Sequence, residues 1–94
     1  MDANEQKGWD RFLGKPVIVD TRSSLIYIGT LRNVDDHFVD LEVADVHDRG
    51  EGHSTNEKYV LDTRKFGLKA NRRSVTIRKS AVVSLSLLDD IIPY

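Results

Sequence analysis

Cysteine is absent from this chain, which excludes a disulfide framework, a thiolate nucleophile and a zinc site with cysteine ligands. No segment rich in proline, glycine and serine divides the 94 residues, so we expect a single domain over residues 1–94. No apolar run approaches the length of a bilayer span, and the first residues lack the basic and apolar regions of a signal peptide. These absences favour a cytoplasmic protein without a redox role.

Charge is strongly separated along the chain, although the formal net charge is only −1. Residues 35–62 hold nine acidic residues against two basic ones, whereas residues 63–79 hold seven basic residues and no acidic one. A basic stretch of this density can form an electropositive surface for a phosphate backbone. Complementary faces within a fold or an oligomer explain the same separation equally well.

Two strands are predicted in the first third of the chain. Residues 17–19 and 25–28 are rich in β-branched and aromatic side chains and flank a turn at residues 21–24. Gly29 interrupts the second strand, and a glycine inside a strand marks a sharp bend or a close approach of two backbones.

A third strand is predicted at residues 38–43, after a turn at residues 33–36. Its alternation puts Val39, Leu41 and Val43 on one buried face. Two further runs with period two, at residues 75–77 and 83–87, are separated by a basic turn, Arg78-Lys79-Ser80. Turns usually contain glycine, asparagine or aspartate, so this basic turn points to a functional role.

Two helices are also predicted. Trp9, Phe12 and Leu13 have i, i+3, i+4 spacing, which predicts a short N-terminal helix that ends at Gly14 and Pro16. A second helix is predicted over residues 55–66, inside a long insertion at about residues 44–73.

The second helix has recognisable end signals. Capping-box spacing at residues 54–57 predicts its start, and Gly67 predicts its end. Its apolar face is thin and consists of Tyr59, Thr63 and Phe66. An edge strand at residues 59–61 remains the alternative.

Three segments resemble the motifs of Sm and Sm-like proteins. Residues 13–31, LGKPVIVDTRSSLIYIGTL, resemble the first part of the first Sm motif. Residues 36–43, DHFVDLEV, resemble the end of the same motif. The second motif is similar to residues 75–86, VTIRKSAVVSLS. Together these segments cover about half of the chain in the order of the family.

The resemblance implies a mainly β fold, which is a small five-stranded, strongly bent antiparallel barrel with an N-terminal helix and a helical insertion between strands three and four. In the family, the fourth strand pairs with the fifth strand of a neighbour and closes a homo-oligomeric ring. Closure removes unpaired strand edges without extending into a fibre. Loops around the pore then bind single-stranded RNA, often rich in uridine.

The family's RNA contacts map onto the third strand and the basic turn. The resemblance implies that a base stacks on Phe38 and that Arg78 packs against it, because any base has a π-face for an aromatic ring or a guanidinium plane. Lys79 replaces the glycine of the second motif and adds a cation. In the other possible register, with Asp35 as the motif's aspartate, His37 is the stacking residue.

Asp40 departs from the family, which has asparagine at this position. A carboxylate accepts hydrogen bonds but does not donate them, so Asp40 lacks the donor that reads a uridine edge. We nevertheless include Asp40 in the predicted RNA site. The basic residues of the insertion are predicted to make peripheral phosphate contacts; these are Arg64, Lys69, Arg72 and Arg73.

Catalytic and metal motifs are not found. No glycine-rich phosphate loop, G-x-S-x-G or H-E-x-x-H occurs, so we predict neither an enzyme nor a cofactor. The loop residues that could bind a cation follow no ligand spacing, and no metal is predicted; they are His37, His47, His53, Asp45, Asp48 and Glu51.

Three hypotheses follow from these observations. The first is an Sm-like ring that binds RNA, and the second is an Sm-like ring with a structural or protein-interaction role. The third, a metal-dependent enzyme that uses the histidine and aspartate loop, is the least supported.

Overall fold

The computed structural model describes residues 3–48, 50 and 56–92. Two helices, five strands and two 3-10 turns make up its regular structure. In chain order these are α1 (Ala3–Asp10), β1 (Pro16–Thr21), β2 (Leu25–Val34), β3 (Phe38–Asp48), α2 (Asn56–Phe66), β4 (Arg72–Arg78), a 3-10 turn (Lys79–Ala81), β5 (Val82–Leu87) and a second 3-10 turn (Leu88–Asp90).

All five strands belong to one antiparallel sheet with the order β4-β3-β2-β1-β5. The predicted fold class is confirmed: the chain is mainly β, with a bent five-stranded sheet and an N-terminal helix. β4 and β5 follow each other in the chain but lie at opposite ends of the strand order. Each therefore presents one edge that is unpaired within the described part of the chain.

Two apolar clusters stabilise the bent sheet. The larger one contains nine buried residues, among them Val17, Leu31 and Leu41, which have no exposed surface. The smaller one contains Ile18, Ile26 and Ile28, on which Tyr59, Val60 and Leu68 pack. The inserted helix α2 thus covers the face of β1 and β2 that the larger cluster leaves open.

β2 runs through Gly29 instead of ending there, which extends the predicted strand. A Cβ atom at Gly29 would lie 2.9 Å from the Ala44 Cβ atom, so the predicted close approach of two backbones is confirmed. Opposite Gly29 the register of β3 shifts by one residue, which is a β-bulge. The bulge lets β3 continue to Asp48, beyond the predicted end at Val43.

The prediction that Val43 lies on the buried face is wrong. Val39 and Leu41 are fully buried, but Val43 is 59% exposed and has a φ of 49°. The bulge turns Val43 outward, and Ala44 occupies the core instead, with no exposed surface. A sequence alternation cannot reveal a bulge, because one extra residue reverses every later side chain.

The turn between β2 and β3 is shorter than predicted. β2 continues to Val34, so two of the residues assigned to the turn, Asn33 and Val34, belong to the strand. A second register shift lies between Leu31 and Asn33 and absorbs one residue of β2. This bulge keeps Val34 opposite Val39, and both are buried.

Helix α1 ends at Asp10, earlier than the predicted stop at Gly14 and Pro16. Phe12 and Leu13 donate backbone hydrogen bonds to residues three positions before them, at 3.0 and 3.1 Å, so the chain tightens into a turn here. Phe12 is buried in the larger cluster, whereas Leu13 is 38% exposed. Gly14 has a φ of 77°, a conformation that glycine adopts without strain.

Helix α2 spans Asn56–Phe66, and the alternative of an edge strand at residues 59–61 is wrong. The predicted C-cap is confirmed, because Gly67 has a φ of 94° and donates to the Thr63 carbonyl at 2.9 Å. Residues 54 and 55 of the predicted capping box lie outside the described residues, so this prediction is not tested. The prediction that Phe66 belongs to the apolar face of α2 is wrong, because Phe66 is 80% exposed.

The segment between β3 and β4 covers residues 49–71, which is shorter than the predicted insertion at about residues 44–73. Asn71 ties its end to β3: the side-chain amide accepts from the Val46 N–H at 3.1 Å and donates to the Val46 carbonyl at 3.2 Å. Neither described helix is long and apolar enough to cross a membrane.

Candidate nucleic-acid interface

Phe38 and Arg78 are directly opposite each other on β3 and β4, although 40 positions separate them in the sequence. Two residues further along the same strands, Asp40 faces Thr76. Side chains two residues apart on a strand share a face, so these two cross-strand pairs form one four-residue block. The intervening pair, Val39 and Ile77, is buried on the other face.

The Asp35 carboxylate fixes the turn that leads into Phe38. Its Oδ1 atom accepts hydrogen bonds from the backbone N–H groups of His37 and Phe38, both at 2.8 Å. These two bonds hold the pKa of Asp35 below its ordinary value of 3.8, because they favour the charged carboxylate. The turn also closes through the Asp35 N–H, which donates to the Phe38 carbonyl at 3.0 Å.

Lys79 joins this turn to the end of β4. Its backbone N–H donates to the His37 carbonyl at 2.8 Å, and its ammonium group donates to the Asp35 carbonyl at 3.2 Å. The ammonium group also lies 5.0 Å from the centroid of the Trp9 ring, within cation–π distance. Lys79 is thus half-buried against three elements rather than extended into solvent.

These residues surround a pocket of about 270 Å³, which we call the turn pocket. Phe38 is 41% exposed at its wall, and the His37 ring meets the Phe38 ring edge-on at 6.5 Å. The structure therefore brings together four of the five predicted RNA-site residues. The lining consists of Asp36, His37, Phe38, Arg78, Lys79 and Ser80.

Asp40, the fifth predicted residue, lies beside the pocket in the four-residue block. Its Oδ1 atom accepts a hydrogen bond from the Thr76 hydroxyl at 2.7 Å. No ion pair joins Asp40 to Arg78 in the described part of the chain. Arg78 is an exposed residue at the wall of the turn pocket.

The predicted peripheral cations lie away from the turn pocket. Arg72 and Arg73 begin β4 and Arg78 ends it, which at about 3.3 Å per residue places Arg72 about 20 Å from Arg78. Arg72 and Arg73 are exposed and border a hollow of about 290 Å³ beside Val43. Arg64 is half-buried, and its Nε atom is inside the protein without a hydrogen-bond partner among the described residues.

A second cavity, of about 410 Å³, lies between α2 and β3 and includes Lys69 in its wall. Here the Tyr59 hydroxyl donates to Asp45 Oδ2 at 2.6 Å, and the Tyr59 ring stacks on His47 at 4.2 Å. Burial, followed by the bond to Asp45, raises the pKa of Tyr59 above its ordinary value of 10.0.

The described residues contain no group of three or more metal-ligating side chains. This finding covers His37, His47, Asp45 and Asp48. His53 and Glu51, which completed the histidine and aspartate loop considered as a cation site, lie outside the described residues.

Sequence reasoning missed Trp9 and Thr76 as parts of this region. Thr76 was in the predicted strand at residues 75–77, but Arg78 was assigned to the following turn, so their shared face is seen only once β4 continues to Arg78. Trp9 was interpreted only as part of a helix face, and no sequence signal places it next to Lys79.

No protein-family model and no curated protein matches the chain. Solved structures do match its fold. The Sm protein of Pyrococcus abyssii in complex with a uridine heptamer is 23% identical with a TM-score of 0.60, over 87% of this chain and 94% of that one. The P. aerophilum SmAP1 heptamer has the same identity and TM-score, over 93% of this chain and 96% of that one.

A chain of the NatC complex bound to CoA is also similar in structure. Its identity is 18% and its TM-score 0.56, over 83% of this chain and 80% of that one. These likenesses, all below 25% identity, establish that the chain has the Sm-like fold.

Proposed function

We propose that the chain assembles into a ring of identical subunits and binds single-stranded RNA at the turn pocket. The observation that carries this proposal is the cross-strand pair Phe38 and Arg78, which sets an exposed ring beside an exposed guanidinium group at the pocket wall. Each can lie flat against a nucleobase. The fold neighbour that holds a uridine heptamer supports the same reading.

The two strand edges support assembly. β4 and β5 end the strand order, and β5 exposes Val83 at 64%. An apolar strand with an unpaired edge tends to pair with another chain, and pairing of β4 with β5 of the next subunit can close into a ring. A heptamer is found for one fold neighbour. Closure would repeat the turn pocket once per subunit.

A second candidate function is a ring, or one subunit of a complex, with a structural or protein-interaction role. Two observations favour it. Asp40 puts a carboxylate beside a pocket meant for a polyanion, and a chain of the NatC complex has a similar fold. Under this alternative the turn pocket binds no RNA at any salt concentration.

Filter binding of a short mixed-sequence oligoribonucleotide over a salt series separates the two functions. The RNA-binding proposal predicts measurable affinity whose logarithm falls linearly with the logarithm of salt concentration. Phe38→Ala should weaken binding by about tenfold at every salt concentration, because stacking is worth about 1–3 kcal/mol per base.

The matched control is Phe66→Ala, which removes an equally large ring that is 80% exposed on α2. It should leave the affinity unchanged. Absence of RNA binding by the unmodified chain, or equal losses in the two variants, would reject the proposal.

A further inference from the structure

We propose that Asp40 makes the turn pocket selective for guanine. This inference rests on the proposed RNA-binding function and names the base that the pocket prefers. It depends on the position of the carboxylate, on its bond to Thr76 and on the donor pattern of the four bases.

Asp40 lies where the edge of a stacked base would reach. It is two residues from Phe38 on the same face of β3, which is about 7 Å along the strand. A base stacked on the Phe38 ring is larger than that ring and projects beyond it. Because Val39 points into the core, the next polar group along this face is the Asp40 carboxylate.

The bond to Thr76 orients the carboxylate and also decides what the threonine offers. The hydroxyl hydrogen is donated to Asp40 Oδ1 at 2.7 Å, so the Thr76 oxygen presents only lone pairs to a ligand. A carboxylate with two oxygens has about four acceptor positions, and one bond leaves room for a bidentate contact. Asp40 and Thr76 together therefore offer acceptors and no donor, while the exposed Asn33 faces Asp40 from its other side, on β2.

Guanine is the base that matches two neighbouring acceptors. Its Watson–Crick edge carries the N1–H and the N2 amino group side by side, so both can donate to one carboxylate. The same edge of uracil, cytosine or adenine sets its donor beside an acceptor, which would face a carboxylate oxygen.

Arg78 completes the pocket without choosing the base. It faces Phe38 across the strands and is exposed, so its guanidinium plane can lie against the face of any stacked base. Asp40 and Arg78 make no ion pair with each other, so both remain available for one base.

Competition with nucleoside 5′-monophosphates tests the preference. The probe is a labelled mixed-sequence oligoribonucleotide bound to the full-length chain, displaced in turn by GMP, IMP, AMP, CMP and UMP. All five share the ribose and the phosphate, so phosphate attraction cancels and only the base differs. GMP should displace the probe at a concentration about tenfold lower than UMP, CMP or AMP.

IMP is the sharpest competitor because it keeps the N1–H and O6 of guanine and lacks the amino group. We expect it to be several-fold weaker than GMP. In Asp40→Asn the side chain has an NH2 donor next to an oxygen acceptor, which matches the uracil edge with its donor beside an acceptor. This variant should therefore lose the guanine preference and favour UMP. The control Glu42→Gln neutralises a carboxylate two residues further on the same face of β3 and should keep the wild-type order.

The outcomes separate this inference from the proposed function. If the probe binds but the five competitors are equal, or if UMP is strongest on the wild-type chain, guanine selectivity is overturned and RNA binding stands. If the probe does not bind at all, the proposed function fails and the selectivity fails with it. If Asp40→Asn and Glu42→Gln change the order equally, Asp40 is not the selective residue.

Discussion

The Lys79 ammonium group lies 5.0 Å from the centroid of the Trp9 ring and donates a hydrogen bond to the Asp35 carbonyl at 3.2 Å. One side chain therefore connects α1, the turn between β2 and β3, and the 3-10 turn after β4. From the sequence, Lys79 was predicted to add a cation to the RNA site. The structure gives its ammonium group protein partners, which suggests that Lys79 mainly positions the turn pocket.

Lys79→Met tests this role because it keeps most of the aliphatic stem and removes the charge. We expect RNA affinity to fall several-fold, since the Asp35 turn loses one anchor, while the salt dependence stays unchanged. The emission of Trp9, which is the only tryptophan of the chain, should change as its cation is lost. A salt slope smaller by about 0.7 would instead identify Lys79 as a phosphate contact.

Arg72→Ala combined with Arg73→Ala tests the peripheral cations. If both residues contact phosphates of a bound strand, their loss should weaken binding of all sequences alike and lower the salt slope by about 1.4. The control Lys15→Ala with Arg22→Ala removes the same charge from exposed positions that flank β1. Unchanged affinity and slope in the Arg72 and Arg73 variant would show that these residues do not touch RNA.

We expect Asp35 to make the free energy of unfolding depend on pH. Its pKa is lower in the folded chain than the ordinary 3.8, so the unfolded chain binds the proton first as pH falls. The stabilisation by Asp35 is therefore fully present at pH values above the ordinary pKa of 3.8. It is lost as the pH falls through the lower pKa of the folded chain. Asp35→Asn keeps an oxygen that can accept both N–H groups but does not titrate in this range.

Urea unfolding from neutral pH down to about 2 measures the effect. The wild-type chain should have a larger free energy of unfolding than Asp35→Asn at neutral pH. This difference should shrink as the pH falls below the ordinary aspartate pKa of 3.8. Asp89→Asn removes one carboxylate at an exposed position outside this turn and serves as the control. A difference that stays constant over the whole pH range contradicts the role given to Asp35.

Tyr59→Phe tests the anchor between α2 and β3. It removes the 2.6 Å hydrogen bond to Asp45 and should lower the free energy of unfolding by about 2 kcal/mol, as expected for a bond to a charged group. RNA affinity should not change, because Asp45 lies beyond the Val43 bulge from the turn pocket. The control is Tyr27→Phe, because the Tyr27 hydroxyl makes no hydrogen bond among the described residues. Equal destabilisation by the two variants would contradict the anchor.

The strands could be predicted from period-two alternation, and the resemblance of two separate motifs implied that Phe38 and Arg78 contact the same base; their cross-strand pairing is known only from the structure. The bulges could not be anticipated. Gly29 signalled a close approach, but only the register of β3 shows that Val43 turns outward and Ala44 inward. Local patterns report which residues alternate and do not report where a strand gains a residue.

Helix ends and side-chain partners could not be predicted from the sequence either. The spacing of Trp9 and Phe12 fits a helix equally well when the residues after Asp10 form a hydrogen-bonded turn, as they do here. Opposite charge alone would favour Arg78 or Lys79 as the partner of Asp40, but its partner is the hydroxyl of Thr76. Cross-strand register decides that contact, and charge alone could not predict it.

Native mass spectrometry of the full chain with a mixed-sequence oligoribonucleotide tests the central claim most directly. The account predicts one closed assembly with a fixed number of identical chains that carries bound RNA. It also predicts that Phe38→Ala keeps the assembly and loses most of the RNA. A monomer without RNA, an open series of sizes, or a closed assembly to which no RNA binds would contradict the account.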